Sequence, residues 1–136
     1  MDDLSKASRI ASFGMKAQAK RLRVVSENMA NVDSLATTPG GEPYRRKLVT
    51  FKSMLERDMD TEVVRVRRTV RDMSDFERDY NPSHPAADAN GYVLKPNVNP
   101  LIEVMDMREA QRSYEANMHV VTISREMVGK TLELLR

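Results

Sequence analysis

The chain has no cysteine and no tryptophan. The first absence excludes disulfides, thiolate nucleophiles and cysteine-type zinc sites together. It leaves the compartment open, since it suits the cytosol as well as a chain that must cross membranes without becoming trapped by oxidation. Seven aromatic residues, four Tyr and three Phe, are too few to line a large ligand pocket. Long apolar runs are missing as well. The longest stretch without Asp, Glu, Lys or Arg is Ala116–Ser124, nine residues, far short of a membrane span. The apolar run Ile10–Met15 is too brief, and too close to Lys16 and Lys20, to serve as the core of a secretory signal. The expectation is therefore no direct membrane insertion and, if the chain is exported, export without an ordinary cleavable signal.

No excess of one charge sign exists either. The net charge of +2 is a near-tie between 22 basic and 20 acidic residues. Residues 1–32 carry six basic and three acidic side chains, residues 33–99 eleven of each, and residues 100–136 five and six. Nucleic-acid binders concentrate positive charge on one face, and only the first segment leans that way, so no nucleic-acid partner is expected. No Gly-rich phosphate loop, nucleophile elbow or paired-histidine motif occurs. The two histidines do not build a metal site. His119 stands beside Met118 near an apolar seam, and His84 with Asp79 or Asp88 lacks a third and fourth ligand. No catalytic residue, cofactor or metal is assigned.

What the chain does have is helical periodicity at both ends. Positions 4, 8, 11, 15, 18, 22, 25, 29 and 32 read Leu, Ser, Ala, Met, Gln, Leu, Val, Met and Val. Seven of these nine are apolar at alternating four-three spacing, the seam of a coiled-coil-like helix. Asp2 or Asp3 can cap its start, and Thr37–Gly41 must end it. The C-terminal segment mirrors this. Asn99 is a good N-cap with Pro100 at the first helical position. Positions 104, 107, 111, 114, 118, 121, 125, 128, 132 and 135 read Val, Met, Gln, Tyr, Met, Val, Arg, Val, Leu and Leu. Gln111 and Arg125 interrupt the stripe, and Gly129 weakens it by roughly 1 kcal/mol relative to Ala.

Between them the pattern changes. Tyr44–Phe51 and Glu62–Val70 are rich in β-formers, Phe51–Asp60 can hold a short helix, and Asn81–Pro85 and Ala89–Tyr92 are turns leading into a strand at Tyr92–Lys95. Three segments follow: an N-terminal helix over 1–33, a β-rich middle over 34–98 and a C-terminal helix over 99–136. The fold class is mainly α with a small β-rich insert. A helix over 100–135 is about 54 Å long at 1.5 Å per residue, whereas a compact globule of this chain length is about 37 Å across. The two terminal helices are thus expected to form a coiled-coil-like pair in an elongated subunit of a helical assembly. The alternative is a soluble coiled-coil adaptor forming a discrete oligomer.

Several motifs resemble those of the bacterial flagellar rod and hook axial protein family. Ser26-Glu27-Asn28-Met29-Ala30-Asn31 resembles its Asn-x-Ala-Asn signature. Gly40-Gly41-Glu42-Pro43-Tyr44-Arg45-Arg46 is similar to a stretch of the proximal-rod subfamily, with Glu42 as an extra residue. Asp79–Pro85, Gly91-Tyr92-Val93, Pro96–Asn99, Met105-Asp106-Met107 and Ser113–Asn117 match that subfamily's middle and last helix. The chain departs from the family at Val32-Asp33-Ser34, where an Asn/Thr-type pair is usual.

The resemblance implies a non-enzymatic structural subunit of the periplasmic rod that transmits torque towards the hook, exported unfolded by the flagellar type III apparatus. The implied partners are other copies of itself, other rod proteins, the membrane (MS) ring and rod-adaptor components. The residues expected at assembly contacts are Leu4, Ala11, Met15, Leu22, Val25 and Met29 on the first stripe. On the second they are Val104, Met107, Tyr114, Met118, Val121, Val128 and Leu132. Asn28, Ala30, Asn31, Tyr44, Arg45, Arg46 and Asn117 join them from the motifs. Two of these readings have plain alternatives: Asn28–Asn31 also suits a helix C-terminus, and the basic cluster Tyr44-Arg45-Arg46-Lys47, suited to an acidic patch on a neighbouring subunit, also suits a strand edge charged against aggregation.

Overall fold

The structure is a computed structural model that describes residues 2–136. Two helices account for the terminal periodicities: α1 over Asp2–Ala30 and α2 over Pro100–Leu134. Asn99 caps α2 as its sequence suggests, its side chain accepting a hydrogen bond from the Leu101 N–H, with Pro100 behind it. Asp2 and Asp3 lie in the first turn of α1, where negative charge suits the helix N-terminus. At 35 residues α2 extends about 52 Å.

The helices run antiparallel side by side. Asn28 meets Glu103, Arg21 meets Asp106 and Glu109, and Gly14 meets Asn117. The sequence stripe of α2 is half right. Met107, Tyr114, Val121 and Val128 are partly buried, but the alternate positions are Glu103, Ala110, Asn117 and Ser124 rather than Val104, Gln111, Met118 and Arg125. Glu103, Ala110 and Ser124 are buried, while Gln111, Met118 and Arg125 are exposed. The helices approach where small or hydrogen-bonding side chains face each other, and a hydrophobic count does not register those residues. Gly14 marks the approach: a Cβ there would stand 2.8 Å from the Asn117 amide nitrogen.

Four strands form the middle. β1, Lys47–Glu56, pairs antiparallel with β2, Thr61–Arg71, and a bulge between Thr50 and Phe51 shifts the register. The short helix expected over Phe51–Asp60 does not form. Phe51–Glu56 continue β1 because each has a partner across the hairpin, and the chain turns through Asp60 in the left-handed region, φ 47°. β3, Glu77–Tyr80, pairs with β4, Tyr92–Lys95, in a second two-stranded sheet. Gly91, at φ 84°, sits under the Tyr80 ring, which packs edge-on against Tyr92.

The long hairpin lies along α1. Lys47 at its base bonds Asn28, the Arg65 guanidinium stacks 4.6 Å above the Phe13 ring, and Asp58 and Met59 at its tip adjoin Ser5, Lys6 and Arg9. Helix α1 is therefore covered on two sides, which explains why Ala17 and Val24 are buried although they lie off the four-three stripe. The fully buried apolar residues are mostly Ala and Val, so the core is thin. Among the described residues no helix is long and apolar enough to cross a membrane.

Because the α1–α2 seam closes on Gly14, Gly14→Val should lower stability by about 1–3 kcal/mol through overpacking. Gly14→Ala should be nearly neutral, its helix-propensity gain of about 1 kcal/mol offsetting displacement of the Asn117 side chain. Thermal unfolding of the purified chain distinguishes the two.

Candidate functional site

The motifs converge on one junction between the C-terminal end of α1, the first turn of α2 and the base of β1. Its centre is Glu103, with no exposed surface, beside Asn28 at 1%. The Asn28 carboxamide mimics a strand neighbour. Its Oδ1 accepts from the Lys47 N–H at 2.9 Å, and its Nδ2 donates to the Lys47 carbonyl at 2.9 Å. The same Oδ1 accepts from the Tyr44 hydroxyl at 2.8 Å, and the same Nδ2 donates to Glu103 Oε2 at 3.2 Å. Asn28 thus uses both ends of its amide to hold three segments at once.

Arg46 supplies the countercharge. Its Nε donates to Glu103 Oε1, and its Nη atoms reach Asp72 and Asp106, each at 3.4 Å. Burial opposes the guanidinium's charge, yet Glu103, Asp72 and Asp106 outweigh it and hold the Arg46 pKa above its ordinary value. The Asp72 carboxyl is held below its ordinary value, chiefly by the Ser74 backbone N–H, with burial opposing and the Ser74 hydroxyl and Arg46 adding. Burial, then Glu27 and Glu103, raise the Tyr44 phenol, which keeps its proton for Asn28. Around this centre Arg45 donates to the Asp72 and Ser74 carbonyls and lies 4.2 Å above the Phe76 ring, and Lys47 pairs with Glu27 at 2.5 Å. Asn97 accepts from the Arg46 N–H and donates to the Asp72 carbonyl, tying the start of α2 to the same cluster.

The basic cluster is therefore spent inside the subunit. The side chains of Arg45 and Arg46 are only 14% and 15% exposed, and their charge is paired within the subunit. Asn31 closes the helix as the plain alternative has it, but without a left-handed backbone. Its Nδ2 donates to the Glu27 carbonyl and its Oδ1 accepts from Ser34. Ala30, between the two asparagines, is exposed.

Of the remaining expected contact residues, Ala11 and Val25 are buried, and Leu4, Met15, Leu22 and Met29 are half-buried on α1. On α2, Val104, Met107, Tyr114, Asn117, Val121 and Val128 are half-buried, while Met118 and Leu132 are exposed. Sequence reasoning missed Glu103 altogether. The available signal was an acidic residue one helical turn into a helix opened by Asn99-Pro100, in a chain with an Arg-Arg pair just after a Gly-Gly turn. A second feature was also missed: α2 carries an outward apolar stripe through Ile102, Met105, Val120, Ile123 and Met127, all exposed. No group of three or more His, Asp or Glu among the described residues could hold a metal ion.

Comparison with known proteins bears on this arrangement. A family model described as the C-terminal region of flagellar basal body rod FlgEFG proteins matches residues 89–134. The chain is 52% identical over 136 residues to the flagellar basal-body rod protein FlgC of Agrobacterium fabrum, covering 100% of this chain and 98% of that one. It is 41% identical over 125 residues to the protein of that name from Salmonella typhimurium, covering 92% of each. Identity to the Bacillus subtilis protein is 39% over 140 residues, covering 92% of this chain and 93% of the relative.

Asn28→Ala should cost about 2–3 kcal/mol, since it strands the Tyr44 hydroxyl, the Lys47 N–H and a Glu103 oxygen. Asn28→Asp should cost more, because it sets a second carboxylate against Glu103. Urea unfolding of the purified chain checks the order, and an Asp variant as stable as wild type would contradict it. The lowered Asp72 pKa contributes stability that is present above the unfolded value of about 3.9 and lost as pH falls through the folded one. Asp72→Asn should therefore lower stability at neutral pH and change it little below the folded pKa, so that this part of the acid dependence disappears; urea unfolding at the two pH values checks it.

Proposed function

The chain belongs to the flagellar basal-body rod protein family and is a structural subunit of that rod, and on this premise we propose that it is a proximal-rod subunit whose helix pair builds the wall of a periplasmic drive shaft. The observation that carries this reading is the outward stripe of α2, Ile102, Met105, Val120, Ile123 and Met127, which nothing in the subunit covers. Exposed apolar groups on one face mark a surface for a partner, and two of them, Ile102 with Met105 and Val120 with Ile123 and Met127, set about 22 Å apart along one helix, suit an extended protein contact rather than a small ligand.

Two interaction surfaces divide the work. The residues facing the α1–α2 seam, among them Val121 and Val128, hold the subunit together, and the outward stripe joins it to neighbours. The absence of a large inserted domain favours the proximal over the distal rod or hook. Neighbours then include other copies of the chain, other rod proteins, and membrane-ring and adaptor components at the base. Export through the flagellar type III apparatus without a cleaved signal belongs to the same reading. The discrete-adaptor alternative is not favoured, since the relatives that match 92–100% of the chain carry rod-protein names.

Ile123→Asp separates the two surfaces. It should leave the isolated chain within about 0.5 kcal/mol of wild type, as exposed substitutions do, yet abolish swimming when it is the only copy in the cell. Val121→Asp should instead lower the stability of the isolated chain by several kcal/mol, because it places an unpaired carboxylate in the internal seam. Normal swimming with Ile123→Asp would show that the outward stripe is not an assembly surface.

A further inference from the structure

One face of α1 carries a charge pattern with no ion pair inside the subunit, although Lys16 lies 5.7 Å over the Phe13 ring and Arg9 adjoins Asp58 at the hairpin tip. Between Leu4 and Ser26 the helix carries no acidic residue. Arg9, Lys16 and Arg23 recur every seven residues, so they project within about 40° of one another along the axis. All three are exposed and none is in an ion pair among the described residues. Helix α2 carries the complement. Its first three acids, Glu103, Asp106 and Glu109, are consumed by Arg46 and Arg21. Its last three, Glu115, Glu126 and Glu133, fall within about 20° on the wheel. They too are exposed and free of ion pairs, although Lys130 stands one turn from two of them.

The two rails do not meet within one subunit. Both lie off the line of the internal seam, in which Gly14 lies opposite Asn117 and Asn28 opposite Glu103, with Arg9 at its margin. At the free end of the pair Arg9 shares a groove with Arg125, a like charge. The spacings nevertheless match: seven residues separate Arg9 from Lys16 and seven separate Glu126 from Glu133.

We propose that the basic rail of α1 docks on the acidic rail of α2 from a second copy of the chain, antiparallel, with Arg9 opposite Glu133 and Lys16 opposite Glu126. Arg23 then lies within about one turn of Glu115. This deepens the rod-subunit reading and rests on it. Subunits that share one polarity along a rod present α1 of one copy antiparallel to α2 of the next, as the pairing requires. Relative to the internal seam the register is displaced by eleven residues, about 16 Å. Such a contact joins two different surfaces and carries an axial step, so it propagates rather than closing into a dimer. Exposed ion pairs are individually weak and screened by salt. Their task is to fix the register of helices held together by apolar contact.

The absence of cysteine makes the test clean. Two tagged copies, Lys16→Cys and Glu126→Cys, are expressed together, and isolated basal bodies are treated with a short thiol-to-thiol cross-linker. A dimer carrying both tags is expected, with no dimer from copies that all carry Glu126→Cys. Its absence from basal bodies of swimming cells overturns the pairing. In case the cysteine copies do not assemble, charge reversal gives a second measurement. Arg9→Glu with Lys16→Glu, and separately Glu126→Lys with Glu133→Lys, should each reduce swimming at least tenfold, and all four changes in one chain should restore it. Loss in both without restoration overturns the rail pairing and leaves the rod role standing. Absence of the wild-type chain from isolated basal bodies would refute the rod role itself.

Discussion

A carboxylate with no exposed surface is the constraint from which the rest of the subunit follows. Removing Glu103 from water costs several kcal/mol even after the protein relaxes around it, so its oxygens must be met by donors from whatever packs against them. One is met by Arg46, which leads into β1, and the other by Asn28, near the end of α1. Three segments far apart in sequence therefore have one arrangement in which the charge is satisfied. A buried ion pair is weak evidence for stability, and its better-attested use is to select one register among several. In a thin core built mainly of Ala and Val, shape alone does little to forbid a sliding of α1 against α2 by a turn. The Glu103 junction forbids it.

From this anchor the outer surfaces acquire fixed positions. With Asn28 held to both Glu103 and Lys47, the hairpin is directed back along α1, where the Arg65–Phe13 stack keeps it against the helix. Arg9, Lys16 and Arg23 stay exposed on α1 beside the hairpin, and the exposed sides of α2 bear the outward apolar residues and the last three acids. Internal cohesion relies on small residues and hydrogen bonds. The large apolar side chains of α2 are disproportionately outside, the inverse of a self-sufficient globule, and consistent with a subunit whose burial is completed by neighbours.

Much of this was legible in the sequence, and the failures have a common cause. Both long helices, the Asn99-Pro100 start and the strands at 62–70 and 92–95 follow from periodicity and capping. Seam positions 107, 114, 121 and 128 follow likewise. The alternate seam positions did not, because Glu103, Asn117 and Ser124 are polar and Ala110 is small, so an apolar template slid one residue to Val104, Met118 and their neighbours. The helix expected at Phe51–Asp60 lost to cross-strand pairing, with partners five to fifteen positions along the chain, a contact that helical periodicity does not register. Resemblance to the axial family flagged Asn28, Tyr44 and Arg46, and the geometry shows the internal task they have around Glu103.

Hydrogen exchange of the purified full chain, wild type against Glu103→Gln, tests most directly whether this one junction couples all three segments. If it does, amides in the C-terminal half of α1, the first turns of α2 and the base of the 47–71 hairpin should lose protection together and by similar factors, while the β3–β4 sheet changes little. Loss of protection confined to the first turn of α2, with α1 and the hairpin as protected as before, would contradict it.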